Sequence, residues 1–431
     1  MIAALLLLGF AGLLLAGVPI VASLALSAMV AIAAANTEAQ LFGLMAAPQN
    51  FYSAIAKYPL LALPMFVLVG SIFDRSGVAQ RMVTFAMACL GRGPGMLPTV
   101  AIVVAMVLGG ISGSGPANAA AVGGVMIAAM ARAGYPAPFS ATVVGAAAAT
   151  DILIPPSIAL VVYSVMVPGA SVPALFAAGM LPGLLAGLAL VVPAILLSRR
   201  HRFGTAESHA RPPFWPSLRD ASWGLAAPVL ILGGMRLGWF TPTEAAAVAV
   251  AYGLFVGMVV HRSITVRDLW PVFRDAAEIS AVIMVILGAA GLFSYAINTL
   301  GIADPFARWV QGAGLGSLGT LAAIMVVLLL VGTVIDGVAI FMIFVPLLYP
   351  LALAFQWDLV WLGVLLTLVV AQGQFSPPFA VNLMVSCRMA GVSIESTVPW
   401  VLWFLVSFLL VIVIVFFQPQ VALWLPRVLG F

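Results

Sequence analysis

Apolar runs near twenty residues long recur from one end of this chain to the other, separated by short polar connectors. No polar segment is long enough to form a soluble domain, and the short alternating strands of a β-barrel are absent. The pattern predicts an all-α polytopic membrane protein with spans of about twenty residues. Composition agrees. With 64% apolar and 7% charged residues, the chain cannot hide its apolar groups in a water-soluble core. The N-terminal stretch MIAALLLLGF lacks the basic start of a secretory signal and reads as a span of the mature chain.

Within this pattern, features return after 222 residues (377 − 155). Pro155–Pro156 in LIPPS recurs as Pro377–Pro378 in QFSPPF, and GGISGSG (109–115) falls opposite VGTVIDG (331–337). Pro19 falls opposite Thr241–Pro242. There Thr241 can cap a helix, Pro242 can take its first position, and Glu244 can close a capping box. The chain therefore divides into two equivalent halves, 1–198 and 223–431, joined by a connector at 199–222.

Each half offers two short spans (about 2–16 and 20–35; 224–238 and 242–260) and a third span (about 58–74; 278–299). A pair of apolar arms around a small-residue tip follows, at about 98–131 and 318–354. Next comes a span broken at the double proline, about 137–167 and 358–390, and then a long final span. An arm of about eleven residues rises only ~16 Å against a hydrocarbon thickness of ~30 Å, so each pair is expected to form a re-entrant hairpin. Five crossings per half then remain, an odd number, and the halves are expected to be inverted. With the N-terminus outside, 13 of the 17 basic residues fall in inside loops, as the positive-inside rule requires. Both termini would then lie outside, with 199–222 in the cytoplasm.

Two hairpins and two interrupted spans in inverted repeats form the pattern of a secondary transporter. Unwound backbone survives at membrane depth only where it is buried in protein or lines a cavity. Its free carbonyls can hold a cation there, while half-helix N-termini face an anion. The first candidate site joins the tip SGSGPAN (Ser112, Gly113, Ser114, Asn118) to the break TDILIPPS (Thr150, Asp151, Pro155, Pro156, Ser157). The second joins GTVIDG (Gly332, Thr333, Asp336, Gly337) to GQFSPPFAVN (Gly373, Ser376, Pro377, Pro378, Asn382). Such oxygen donors suit a weakly held alkali cation and no transition metal.

Other readings compete at these positions. Small residues also serve close helix packing. Asp151 and Asp336, the only carboxylates deep in apolar segments, could equally bond helix ends. The same pair would be the minimum for an intramembrane aspartyl protease, but the Gly-x-Gly-Asp context is missing, and no enzyme is expected. Cys89 and Cys387 read as packed hydrophobes. His201, His209 and His261 read as solvated loop residues, and Tyr163, Arg236 and Tyr295 as packing or interface groups. Beyond the lipid bilayer, no nucleic-acid partner is expected.

Four stretches carry a family resemblance: GGISGSGPANAAAVGGVMIAAMARAGY, ILIPPSIALVVYSVMVPGASVPALFAAGMLPGLLAG, LGWFTPTEAAAVAVAYGLF and FSPPFAVNLMV. Together they resemble the large membrane subunit of TRAP transporters, the tripartite ATP-independent periplasmic type, and the likeness covers essentially the whole chain. The resemblance implies sodium-driven uptake of an organic acid, such as a C4-dicarboxylate or sugar acid, across a bacterial inner membrane. It implies a small four-span membrane subunit, a periplasmic substrate-binding protein and an elevator mechanism; in an inner membrane, the outside termini expected from the charge pattern would be periplasmic. It would place one sodium ion (Na+) among Ser112, Gly113, Ser114, Asn118, Asp151 and Pro155. A second would lie among Gly332, Thr333, Asp336, Gly337, Gly373 and Ser376. Substrate would sit between them, near Ser114, Asn118, Ser157, Asp336, Ser376 and Asn382. This chain departs from the family pattern at Asp151, where a glycine is expected, and at Ser376, where threonine is common. Asp151 is open to three roles: cation ligand, reader of a substrate hydroxyl, or proton carrier. The extra N-terminal spans of fused versions are missing, so the small subunit is expected to be separate. The alternative is a stand-alone sodium–dicarboxylate symporter of similar architecture.

Overall fold

The computed structural model describes residues 2–35, 44–90, 93–205, 212–333, 335 and 337–431, with all side chains among them except those of Ser112, Ala303 and Asp304. Asp336, Arg92, Arg211 and His209 lie outside the described residues. Every regular element among the described residues is helical. Among the described residues, six helical stretches are long and apolar enough to cross a membrane: Tyr58–Arg75, Val172–Arg200, Pro242–Val260, Val266–Thr299, Gly337–Ala354 and Glu395–Phe417.

The first half begins with α1 (Ile2–Leu15) and α2 (Ile20–Ala35), which pack on each other, and a short α3 (Ala47–Ile55). Then come α4 (Ala62–Arg75) and the amphipathic α5 (Val78–Leu90). Two arms, α6 (Met96–Ser112) and α7 (Gly115–Arg132), lie side by side around the tip residues Gly113 and Ser114. The broken span is α8 (Ala137–Ala148) and α9 (Ile158–Met166), followed by the long α10 (Val172–Arg200). In the second half, α11 (Phe214–Arg236), α12 (Pro242–Phe255), α13 (Val266–Thr299) and a short α14 (Ala303–Gly312) precede two further arms. These are α15 (Gly316–Gly332) and α16 (Gly337–Ala354). The second broken span is α17 (Leu359–Gly373) and α18 (Val381–Ala390), and α19 (Val398–Phe417) and α20 (Gln420–Leu429) close the chain.

Two differences from the sequence reading bear on the site. The arms have 17 and 18 residues instead of about eleven, a rise of roughly 26 Å each. The glycines near the first tip stay helical because their bare faces dock on neighbouring backbone, so the tip shrinks to two residues. The third span of the second half begins at Val266, well before 278. Thr265 and Asp268 form a capping box there, with Thr265 N donating to Asp268 Oδ2 at 2.8 Å, and this starts the helix inside a polar stretch.

The predicted box at α12 is present. Glu244 N donates to Thr241 Oγ1 at 3.3 Å, and Thr241 N donates to Glu244 Oε2 at 2.8 Å. Thr241→Ala should therefore cost about 1 kcal/mol, read as a lower melting temperature of the purified chain.

The half-helices α8 and α17 form the centre. Every residue from 139 to 148 and from 361 to 373 is buried. A helix enclosed on all sides needs no polar face, which explains the uniform apolar and small-residue composition of both. α8 is held by α6 and α7 on one side and by α18 of the other half. A Cβ on Gly145 would stand 3.0 Å from Leu383 Cα, so the two broken spans meet at close range. α17 is held by α15, α10 and α19. α4, α11, α12 and α13 lie outside this centre, with α4 against α6 and α13 against α16.

Candidate functional site

At the first break, consecutive prolines remove two N–H donors, and α8 stops at Ala148. Leu153 N and Ile154 N both turn back to the Thr150 carbonyl, at 3.1 and 3.3 Å. Ser157 then restarts the helix: its Oγ accepts from Leu160 N at 3.3 Å and donates to the Ile152 carbonyl. At the second break, Ser376 Oγ donates to the Gln372 carbonyl (2.7 Å), and Asn382 N donates to the Gln374 carbonyl (3.0 Å). Both proline pairs, Pro155–Pro156 and Pro377–Pro378, are joined by cis peptide bonds.

Glycines bring the tips onto these breaks. A Cβ on Gly109 would lie 2.8 Å from both the Cα and Oδ1 of Asp151. On Gly110 it would lie 3.1 Å from the Pro155 carbonyl oxygen, and on Gly113 2.9 Å from that of Pro156. Gly113 also has φ +60°, the left-handed region that disfavours a side chain. In the second half a Cβ on Gly373 would lie 2.5 Å from the Gly332 carbonyl oxygen. The first tip also reaches the second break, since a Cβ on Gly115 would meet Asn382 at 2.7 Å and Gln374 Oε1 at 2.8 Å. A Cβ on Gly337, at the second tip, would stand 3.5 Å from Gln374 Nε2. Gln374 thus lies against both tips, and its Oε1 accepts from Asn382 Nδ2 at 3.1 Å.

A cavity of about 440 Å³ opens where these parts meet. One wall is formed by Gly113, Ser114 and Gly115 of the first tip, Ile152 and Ile158 at the first break, Gly337 of the second tip, and Gln374. The facing wall belongs to α4 (Ser71, Asp74, Arg75) and α13 (Asp275, Ile279, Ile283). Arg75 Nη2 pairs with Asp275 Oδ2 at 2.6 Å, and Arg274 Nη2 stands 3.6 Å from Asp275 Oδ1. Arg75 is the one basic residue among the described lining residues.

Of the sequence candidates, Gly113, Ser114 and Gly337 line this cavity. Asn118 and Asn382 are buried behind it, each with its Oδ1 lacking a hydrogen-bond partner; Asn118 Nδ2 donates to the Ala105 carbonyl at 2.8 Å. Asp151 is fully buried beneath Gly109, away from the cavity. Pro155, Ser157, Gly332, Gly373 and Ser376 shape the breaks and their contacts but do not line the cavity, and the Thr333 hydroxyl donates to the Leu330 carbonyl at 2.8 Å. Of Ser112 only the backbone is described, at the end of α6, and Asp336 lies outside the described residues. Sequence reasoning missed Gln374, although it sits inside the quoted GQFSPPF motif. It also missed Asp74, Arg75 and Asp275, for which no local signal stands out.

Interrupted helices and helical arms meeting at a central cavity in an all-helical chain define a multi-pass membrane transporter. In fold the chain is similar to the YdaH transporter of Alcanivorax borkumensis, with a TM-score of 0.61 at 14% identity, covering 88% of this chain and 90% of that one. Residues 7–421 match the family described as "Tripartite ATP-independent periplasmic transporter, DctM component". The chain is 38% identical over 373 residues to the C4-dicarboxylate TRAP transporter large permease protein DctM of Pseudomonas aeruginosa, covering 86% of this chain and 87% of that protein. It is 34% identical over 416 residues to the isethionate TRAP transporter permease protein DctMQ of Oleidesulfovibrio alaskensis, covering 96% of this chain and 65% of that one. The chain belongs to the DctM family, the large permease component of TRAP transporters. It is a transport subunit, and the protease reading falls. Membership implies the bacterial inner membrane, a small membrane subunit and a periplasmic binding protein as its setting.

Proposed function

We propose that this chain moves a small organic acid inward with sodium, after a periplasmic binding protein has delivered it. The observation that carries the proposal is the cavity bounded by both tips, both breaks and Arg75. Its volume falls within the ~300–1,000 Å³ usual for small-molecule sites. Arg75 is suited to a carboxylate, and a C4-dicarboxylate is the first candidate because the Pseudomonas relative is named for that class. Asp275 already pairs with Arg75 at this wall, so an anion entering there gains from an accompanying cation that takes over the carboxylate. Sodium is assigned to the two tip–break junctions, where the Pro155, Pro156 and Gly332 carbonyl oxygens face glycines of the opposing segment. Each sodium carried inward adds up to ~2.3 kcal/mol per 100 mV of membrane potential.

In the elevator reading, the arms and broken helices move as a body against α4 and α13, and the cavity lies at that boundary. The halves are inverted, with both termini in the periplasm. A small four-span membrane subunit works beside this chain. Proteoliposome uptake, with the small subunit and binding protein supplied, tests the scheme. Ser114→Ala and Asp336→Ala are expected to shift half-saturation for external sodium upward by several-fold at unchanged protein level. An unaltered sodium response in both variants would remove the tips from the ion sites. Uptake that persists without the binding protein would favour a stand-alone symporter.

A further inference from the structure

A second cavity, of about 630 Å³, lies away from the transport site, where the start of α5, the start of α11 and the end of the α12 span meet. Its walls carry Arg81, Trp215, Arg219, Asp220, Trp223 and His261. Trp215, Arg219 and Trp223 recur every fourth residue and so share one face of α11. Both tryptophans are exposed, Trp215 at 75%. The helical stretch Pro242–Val260 ends one residue before His261, so the cavity sits at a membrane–water boundary. Exposed tryptophans are characteristic of that depth.

Hydrogen bonds within and between elements fix the walls. Arg81 Nη1 donates to the Gly77 carbonyl at 2.9 Å, holding its guanidinium over the first turn of α5. His261 Nδ1 stands 3.1 Å from the Ser76 carbonyl and ties the end of the α12 span to that turn. Tyr252 OH donates to the Trp223 carbonyl at 2.7 Å, joining α12 to α11. Burial holds the His261 pKa below the ordinary imidazole value, so His261 is neutral at pH 7. Arg81 and Arg219 against Asp220 then leave one net positive charge in the cavity.

We propose that this cavity seats the headgroup of an anionic phospholipid carrying a single phosphodiester. Arg81 and Arg219 hold its phosphate oxygens from two different helices, and Trp215 and Trp223 flank its glycerol backbone. One net positive charge matches one phosphodiester charge, and basic pockets between membrane helices favour such headgroups. The bound lipid bridges α5 and α11 and closes the outer wall of the helices that stay still in the elevator reading.

The test uses the full chain purified in its membrane complex, stripped of lipid and titrated under native mass spectrometry. Dioleoylphosphatidylglycerol, dioleoylphosphatidylcholine and inorganic phosphate are the probes. The parent should retain the glycerol lipid in preference to the choline lipid. Arg219→Gln should weaken that retention about tenfold, the scale of one charge-assisted hydrogen bond. Arg219→Lys should keep most of it, and Arg81→Gln combined with Arg219→Gln should abolish it. Arg219 is exposed, so its replacement leaves the fold in place. Equal retention in the parent and Arg219→Gln would overturn the proposal. So would displacement of the lipid by inorganic phosphate at the same concentration, which would mark a soluble-anion site.

Discussion

Gly373→Ala is expected to abolish uptake while the chain still reaches the membrane. The added Cβ would stand 2.5 Å from the Gly332 carbonyl oxygen, 2.6 Å from its carbonyl carbon and 2.8 Å from its Cα. All three are backbone atoms, and none can swing aside as a side chain would. The ends of α15 and α17 must part by about an ångström, and a displacement of that size can cost ~100-fold at a functional site. Overpacking itself adds about 1–3 kcal/mol of destabilisation. Gly332→Ala is the matched control: its Cβ would meet nothing nearer than 3.4 Å, an ordinary contact. It should keep most of the parent's uptake. Proteoliposome rates normalised to protein, with melting temperatures beside them, separate the two variants. Parent-like rates in Gly373→Ala would mean that the docking of tip on break is dispensable.

Arg75→Gln is expected to lower uptake of an anionic substrate by about 10–100-fold, chiefly by raising the half-saturation concentration. That range corresponds to a lost charge-assisted hydrogen bond of roughly 1.5–3 kcal/mol. Stability should hardly change, because the Arg75–Asp275 pair is 40% and 38% exposed and such pairs contribute little. Asp275→Asn removes the competing carboxylate and keeps the cation, so it should tighten apparent affinity. A parent-like half-saturation in Arg75→Gln would assign substrate recognition to the tips alone.

The parts of the fold that were legible in the sequence obey local rules. Two prolines in a row cannot continue a helix, and the Thr241–Glu244 box is written within four residues. Arm length was misjudged because glycine reads as a breaker. At Gly109 and Gly110 it is instead the residue that lets a helix touch another backbone, which only tertiary packing reveals. The Arg75–Asp275 pair joins positions 200 residues apart, and nothing near either residue announces the other. Gln374 is a generic residue inside a recognised motif, and its place between two tips emerges only when both halves are folded together. Asn118 and Asn382 were legible as candidates through their motifs, but their place behind the cavity wall depends on tertiary packing.

The position of Gln374 has a thermodynamic consequence. A single amide lies against Gly115 at one tip and lines the same cavity as Gly337 at the other, so the two hairpins share a boundary condition. Whatever stabilises one tip against that amide alters the free energy of the other, and the effect is reciprocal. Coupling of this kind is typically about 1–3 kcal/mol, and in the proposed sodium scheme it links the filling of one tip to the filling of the other.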